Sequence, residues 1–206
     1  MSEIKYVAPP NLGWLEYKLD SNELNYVWEC IKEKESSNIS HKHKLVADIH
    51  ESKALEDHDD WFFNNTILKC CKVYNEIYEN MGSGLPIPRG NYPYYMREWW
   101  VNYQHQNEFN PSHDHIGIYS FVMWLQIPTD HKEQNKDNPC NIKLTSSFQF
   151  SYLDIIGRMR QISYDLDKSW EGTMIFFPSK LVHQVYPFYN NDGSRISVSG
   201  NILCKI

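Results

Sequence analysis

The stretch FNPSHDHIGIYSF, residues 109–121, places two histidines two positions apart. Successive side chains of a β-strand point to opposite faces, so His113 and His115 share one face and Asp114 points away. Two imidazoles on one face can bind a single transition metal ion. A bulge would rotate the strand and bring Asp114 to the metal in place of His115. The sequence leaves both arrangements open.

A third metal ligand has to come from elsewhere, and His183 is the candidate, because it follows an apolar run and a Pro-Ser turn. Arg195 and Ser197 follow it and have the spacing of two residues on one face of a strand. An arginine that points inward beside a metal can bind a carboxylate through two parallel N–H donors. A serine hydroxyl on the same face can add a further donor.

Two stretches before residue 85 have the periodicity of amphipathic helices. The first can be capped by Asp20 or Ser21, and the second can end at Gly82. The polar segment between them is predicted to be mostly loop. The two apolar stripes consist of Leu24, Val27, Trp28 and Ile31, and of Ile67, Cys70, Tyr74, Ile77 and Met81.

After residue 85 the chain consists of short runs rich in aromatic and β-branched residues, separated by clusters of Pro, Gly, Asn and Asp. The runs are YYMREWWVNYQ, YSFVMWLQIP, NIKLTSSFQFSYL, EGTMIFFP, HQVYPFY and SRISVSGNILC. Six strands without intervening helices predict an antiparallel sandwich or barrel. We therefore expect one domain over residues 1–206. A helical layer of about residues 1–85 would cover one sheet of a jelly-roll core of about residues 86–206.

The composition of the 206 residues, 41% hydrophobic and 15% aromatic, is that of a chain with a real core. The formal net charge of −6 disfavours duplex nucleic acid as a partner. The N-terminus shows no apolar signal-peptide region, and no apolar run is long enough for a membrane span. Five unpatterned cysteines fit reduced thiols. These features predict a cytoplasmic protein.

Between about residues 97 and 203 the sequence resembles the small 2-oxoglutarate- and Fe(II)-dependent oxygenases of the double-stranded β-helix fold. The resemblance is strongest to a group found in bacteria and in phages of marine cyanobacteria, and it rests on the order and spacing of motifs. The matching residues are Trp100, Asn102, His113, His115, Ser120, Trp124, Pro128, Gly172, Phe177, Pro178, His183, Arg195, Ser197 and Asn201. The chain departs from the group where SFVMW replaces its S-G-V-Y-Y pattern.

The resemblance implies that Fe(II) is bound by His113, His115 and His183, with Asp114 as the alternative to His115. A distal histidine after a strand and two ligands from an HxH pair give three protein ligands and leave coordination positions open. The implied location is the cytoplasm of a bacterium or of a phage-infected host.

The resemblance also implies that Arg195 and Ser197 bind the far carboxylate of 2-oxoglutarate. Asn102, and more weakly Gln104 on the same face, would hydrogen-bond this cosubstrate. Dioxygen is the remaining reactant, and the implied reaction hydroxylates a substrate while 2-oxoglutarate is decarboxylated to succinate.

The identity of the hydroxylated substrate stays open between a protein side chain, a nucleobase and a small metabolite. Two loops, residues 129–141 and 154–170, are expected to determine it, and His131 in the first is expected to be solvated. The alternative function is that of a cupin-like jelly-roll protein that binds a metal or ligand without turnover. The pairing of Arg195 with Ser197 favours the enzyme, because a pure binding fold does not need it.

Overall fold

The computed structural model describes residues 4–7, 11–35, 46–78 and 93–205, and ten strands in these ranges form two antiparallel sheets. The strands are β1 (Leu15–Lys18), β2 (Glu51–Ala54), β3 (Tyr94–Gln104), β4 (Asn110–His113), β5 (Tyr119–Gln126), β6 (Ser147–Leu153), β7 (Met159–Asp165), β8 (Thr173–Pro178), β9 (Val182–Val185) and β10 (Arg195–Cys204). The six-stranded sheet has the order β1-β8-β5-β10-β3-β2, and the four-stranded sheet has the order β4-β9-β6-β7. Residues of both sheets line one cavity between them, and the predicted jelly roll is confirmed.

The helices α1 (Ser21–Glu35) and α2 (Leu68–Ile77) cover the outer face of the six-stranded sheet, and a short helix α3 (His131–Asn135) lies after β5. A π-helical turn, Phe63–Ile67, leads directly into α2. Buried side chains of the helices and of the outer sheet face form one apolar cluster. Its members include Val27, Ile31, Phe62, Ile67, Tyr74, Trp99, Val101, Met123, Phe176, Val198 and Ile202.

The start of α1 is fixed by a reciprocal capping arrangement between Asp20 and Glu23. Asp20 Oδ1 accepts hydrogen bonds from the backbone N–H groups of Asn22 and Glu23, at 2.8 and 2.9 Å. Glu23 Oε2 in turn accepts one from the Asp20 N–H at 2.9 Å. Such a capping box satisfies donors that a helix start leaves open. The predicted first helix and its cap are therefore both present.

The second predicted helix is also present, but its buried face differs from the predicted stripe. Cys70 and Tyr74 are buried as expected, and Cys71 is buried beside them. Ile77, which the stripe placed inside, is 59% exposed. Met81 and Gly82, the predicted end of this helix, lie outside the described residues.

Three strands of the fold, β1, β2 and β7, were not predicted, and two of them lie in segments expected to be loops. β2 pairs with β3, although the sequence from residue 41 to 59 is polar, because its partner strand supplies the hydrogen bonds and the apolar surface. β7 pairs only with β6 in the sheet order and is largely exposed, so its sequence shows no alternation of polar and apolar residues. The N-terminal part of the chain is thus not only helical, since β1 and β2 join the six-stranded sheet. The boundary near residue 85 stays a prediction.

The expectation that His131 is solvated is wrong. His131 begins α3 and is only 7% exposed. Its Nε2 lies 3.2 Å from a carboxylate oxygen of Asp165 on β7, so α3 packs against the edge strand. No helix within the described ranges combines the length and the hydropathy that a membrane span needs.

Candidate active site

Three histidines, one on each of two neighbouring strands and one just after the first strand, come together between the sheets. His113, at the end of β4, lies directly opposite His183 of β9 in the antiparallel register. His115 follows β4 by two residues, and its Nε2 lies 3.2 Å from the Nε2 of His183. One ligand nitrogen from each of the three rings lies within 4.8 Å of the other two. The structure therefore brings together the three histidines that the sequence suggested as metal ligands.

The backbone holds two of these rings so that their Nε2 atoms remain available. His113 Nδ1 lies 2.7 Å from the carbonyl oxygen of Pro111, and His183 Nδ1 lies 2.9 Å from that of Leu181. A carbonyl oxygen only accepts, so each Nδ1 carries the proton and each Nε2 presents a lone pair. Metal-binding histidines are commonly oriented by such a contact on the other ring nitrogen.

Burial keeps the three imidazoles neutral, which is the form that binds metal. Desolvation lowers the pKa of His183 well below its usual value, and the neighbouring His113 and His115 lower it further. Desolvation, followed by the influence of His113, lowers the pKa of His115 to about 4. The pKa of His113 is also lowered, again mainly by burial.

These contacts pass a simple test of fit for a metal. Two nitrogen ligands each about 2.1 Å from a shared ion, at close to a right angle, stand about 3 Å apart. The separation of 3.2 Å between His115 Nε2 and His183 Nε2 agrees with that value. Imidazole is a suitable ligand for iron. The donor set and its spacing therefore fit a transition metal ion.

Asp114 points away from the three rings. Its carboxylate lies 3.2 Å from Lys180 Nζ, and its side chain is 45% exposed. From Pro111 to Ile116 half-buried and exposed residues alternate strictly, so the period of two continues past the end of β4. The irregularity that a carboxylate ligand would require occurs earlier, between Asn110 and His113.

The chain turns sharply after the histidine pair, and Gly117 makes this turn possible. Its φ of +139° is rarely adopted by residues with a side chain, and an added Cβ would stand 2.8 Å from the carbonyl oxygen of Ile202. The N–H of His115 donates to the carbonyl oxygen of Ser179 at 2.9 Å. His115 is therefore positioned by backbone contacts although it lies outside a strand.

The four residues suggested for cosubstrate binding form two cross-strand pairs. In the register of β10 with β3, Arg195 lies opposite Gln104 and Ser197 lies opposite Asn102. All four line the same cavity as the three histidines. The cavity has a volume of about 160 Å³ and separates the polar inner face of the six-stranded sheet from the four-stranded sheet.

Arg195 is a buried cation, 1% exposed, that contacts only neutral groups among the described residues. Nη2 donates to Ser146 Oγ at 2.6 Å, and Nη1 donates to Gln104 Oε1 at 3.2 Å. Its Nε has no hydrogen-bond partner in the described part of the chain. Desolvation lowers the pKa of Arg195 to about 9. A buried guanidinium with an unsatisfied donor fits a carboxylate ligand, which would supply both charge and hydrogen bonds.

Two residues that support Arg195 were missed in the sequence. Ser146 has a left-handed backbone, φ +63°, and presents its hydroxyl to Nη2. Phe188 lies under the guanidinium, whose Cζ is 5.1 Å from the ring centroid. Neither belongs to a recognisable motif, because each reaches Arg195 only through the fold.

Asn102 Oδ1 is a further buried atom without a partner within the described ranges.

A hydrogen-bonded network lies at the other end of the inner face of β10. Asn201 Oδ1 accepts from Ser120 Oγ at 2.9 Å, and Ser120 Oγ lies 2.9 Å from Ser179 Oγ. Asn201 Nδ2 lies 3.3 Å from Glu98 Oε1 and donates to it. The carbonyl of Ser179 accepts the His115 N–H, so this network holds the backbone beside one candidate ligand.

Comparison with known proteins finds one matching family. The family model of the 2OG-Fe(II) oxygenases matches residues 98–201, which include all seven candidate residues for metal and cosubstrate. No curated protein sequence matches the chain.

Several solved structures share the fold. A Pseudomonas putida prolyl-4-hydroxylase is 14% identical, with a TM-score of 0.55 over 95% of this chain and 94% of that chain. The α-ketoglutarate-dependent carbocyclase SnoK from nogalamycin biosynthesis is 9% identical, with a TM-score of 0.54 over 94% and 80%. OsALKBH1 is 11% identical, with a TM-score of 0.54 over 96% and 98%. At these identities the likeness establishes the fold and does not extend to the substrates.

Proposed function

The chain belongs to the 2OG-Fe(II) oxygenase family, and on that premise we propose that His113, His115 and His183 bind the iron and Arg195 binds 2-oxoglutarate. Enzymes of this family use Fe(II), 2-oxoglutarate and dioxygen. The observation that carries the proposal is that the three imidazoles and the buried guanidinium line one cavity. A binding protein without turnover is not favoured, because the family match spans both sets of residues.

The iron would be held by three neutral nitrogen ligands. Backbone contacts set the ring orientation of two of them, His113 and His183. When bound, Fe(II) supplies the activation of dioxygen, coupled to the oxidative decarboxylation of 2-oxoglutarate to succinate. Asp114 would remain outside the coordination sphere, because it is paired with Lys180. Its carboxylate can instead contribute to the polar rim of the cavity.

Arg195 would bind the carboxylate of 2-oxoglutarate that is remote from the metal. The charge-assisted hydrogen bonds would satisfy the Nε donor, and the carboxylate would balance the charge of the buried guanidinium. Ser197, two residues along the same strand face, lines the cavity and can add a hydroxyl donor.

Asn102 and Gln104 would complete the cosubstrate site from the opposite strand. Gln104 accepts from Arg195 through Oε1, while its Nε2 donates to the carbonyl oxygen of Glu108 at 2.6 Å, which fixes the orientation of the amide. Gln104 is therefore a positioning residue for Arg195. Asn102 lies opposite Ser197, and its Nδ2 group is the amide donor that could reach the acceptor oxygens of 2-oxoglutarate.

We expect the product to be a hydroxylated substrate. The cavity wall beside the histidines is aromatic, which excludes water from the reacting centre. The side chains that form this wall are Trp124, Phe148 and Phe177.

The substrate class stays open between a protein side chain, a nucleobase and a small metabolite. Segments 129–141 and 154–170, which contain α3 and β7, remain the segments expected to select it.

Replacing Arg195 tests the cosubstrate assignment. Arg195→Ala is expected to raise the 2-oxoglutarate concentration needed for half-saturation by on the order of 100-fold, because charged hydrogen bonds worth about 3 kcal/mol are lost. Arg195→Lys should recover part of the affinity, since an ammonium keeps the charge but cannot donate as a fork. The measurement is 2-oxoglutarate binding to the Fe(II)-loaded protein without oxygen.

Arg160→Ala is the matched control. Arg160 is exposed on β7, is paired with Asp154 at 2.7 Å and does not line the cavity, so its loss removes the same charge outside the site. Its 2-oxoglutarate affinity should equal that of the wild type. Unchanged affinity in a folded Arg195→Ala protein contradicts the assignment, whatever happens to iron binding.

A further inference from the structure

A second cluster of metal-binding side chains lies outside the proposed iron site. One ligand atom each from His50, His105 and Glu108 lies within 4.8 Å of the other two. His50 is exposed, and the other two residues are half-buried. The cluster lies at the rim of the cavity, because Ile49 and Gln104, the chain neighbours of the two histidines, both line it.

The backbone around this cluster is tied together before any ion binds. Asp48 and Phe109 form an antiparallel bridge, with N–H to carbonyl distances of 3.0 and 3.1 Å in the two directions. Glu108 Oε2 accepts from the backbone N–H groups of His50 and His105, both at 2.7 Å. One carboxylate oxygen therefore fixes both histidine backbones, and ordering them adds little to the cost of binding an ion.

The two rings are stacked, with centroids 4.1 Å apart and planes 15° from parallel. Nearly parallel rings cannot both direct a lone pair at one ion, so binding requires one ring to turn. A turn of one ring about χ2, which is a broad torsion in histidine, would allow this. We therefore expect the stacking to be exchanged for coordination.

We propose that His50, His105 and Glu108 form a second divalent-metal site, separate from the iron site, that takes Zn²⁺ or a similar transition ion. Two imidazoles and one carboxylate are a donor set that zinc uses together with a water molecule in the fourth position. The ion would clamp residues 48–50 to the turn of residues 105–109. This clamp supports the wall of the cavity, since Gln104, adjacent to His105, contacts Arg195.

The test counts zinc in a protein whose first site is removed. In the double variant His113→Ala/His183→Ala, anaerobic equilibrium dialysis against Zn²⁺ should still find one ion per chain. Adding His105→Ala should weaken that binding by at least about 10–100-fold. Co²⁺ provides a second readout, since its visible spectrum reports nitrogen and oxygen ligands directly.

Two further variants keep the test independent of folding. Glu108→Gln retains an oxygen that can accept both backbone N–H bonds but loses the charge, so it should fold and yet bind zinc less tightly. His58→Ala is the control, because His58 is also exposed and lies 2.7 Å from a single carboxylate, that of Glu33. Zinc should raise the unfolding temperature of the double variant, and also that of the double variant carrying His58→Ala. It should not raise the unfolding temperature of the double variant carrying His105→Ala.

The proposal is overturned if the folded double variant binds no zinc, or if its zinc survives both His105→Ala and Glu108→Gln. In the first case the stacked histidines have only a packing role. Neither outcome bears on the iron site, because two of its three proposed ligands, His113 and His183, are absent from the tested protein.

Discussion

The two faces of the six-stranded sheet are built from the same strands but differ in chemistry. On the outer face of β10, Ile196, Val198 and Ile202 pack under the helices. On its inner face, the alternate residues are polar and line the cavity. These are Arg195, Ser197, Ser199 and Asn201. β3 shows the same division, with Trp99 and Val101 outside and Asn102 and Gln104 inside.

This difference shows how one strand can serve stability and chemistry at once. Because side chains alternate with a period of two, a change at one position affects one face only. We expect outer-face changes to alter the free energy of unfolding and leave ligand binding intact. Inner-face changes should weaken ligand binding and leave the free energy of unfolding nearly unchanged.

The largest effect on stability is expected from Phe176→Ala on β8. Phe176 is fully buried in the outer-face cluster and packs against the rings of Tyr74 and Tyr119. Truncation should lower the free energy of unfolding by about 3–5 kcal/mol, because transfer energy is lost and a cavity remains. Denaturant unfolding measures the change. Loss of 2-oxoglutarate affinity in the remaining folded protein would show that the two faces are not independent.

A smaller effect on the same face is expected from Gly200→Ala. The new Cβ would stand 2.6 Å from ring atoms of Phe121 and 3.0 Å from the carbonyl oxygen of Glu98. Overpacking should cost about 1–3 kcal/mol of stability. Thermal or denaturant unfolding provides the measurement. Equal melting temperatures for Gly200→Ala and the wild type would contradict the packing account.

The smallest effect on stability is expected from Arg195→Met on the inner face. Methionine replaces a desolvated cation with an apolar side chain, so the free energy of unfolding should fall by less than about 1 kcal/mol or should rise. Binding of 2-oxoglutarate should nevertheless be lost. The pair of measurements is denaturant unfolding and anaerobic ligand binding on one preparation. A variant that is strongly destabilised but still binds 2-oxoglutarate would show that Arg195 serves stability and not ligand binding.

The long, regular elements were predictable from the sequence because their periodicity is strong. β10 alternates polar and apolar residues from Arg195 to Ser199, β3 is rich in aromatic residues, and the strands found there agree closely with the predicted runs. The edge strand β7 was not predictable, since exposure on both faces removes the alternation. β2 was missed because its hydrogen bonds come from β3 and nothing in its own four residues marks a strand.

The candidate site was predictable where its residues form spaced pairs. HxH and RxS each place two side chains on one face, and the histidine of β9 follows a clear strand. Ser146 and Phe188, which contact Arg195, left no local signal, because they approach it only in the folded protein. The cluster of His50, His105 and Glu108 was missed for the same reason, since its members lie on two segments joined by a bridge. Whether the chain belongs to the bacterial and cyanophage group with the HxH pattern stays a prediction.

Iron stoichiometry in two neighbouring variants, His115→Ala and Asp114→Asn, tests the central assignment most directly. Both proteins are loaded with Fe(II) and 2-oxoglutarate without oxygen, and bound iron is counted per folded chain. The account predicts that Asp114→Asn binds one iron like the wild type, because its carboxylate faces Lys180. His115→Ala should lose the iron, because its imidazole faces His183. An iron-free Asp114→Asn protein beside a loaded His115→Ala protein would contradict the three-histidine site and establish a carboxylate ligand.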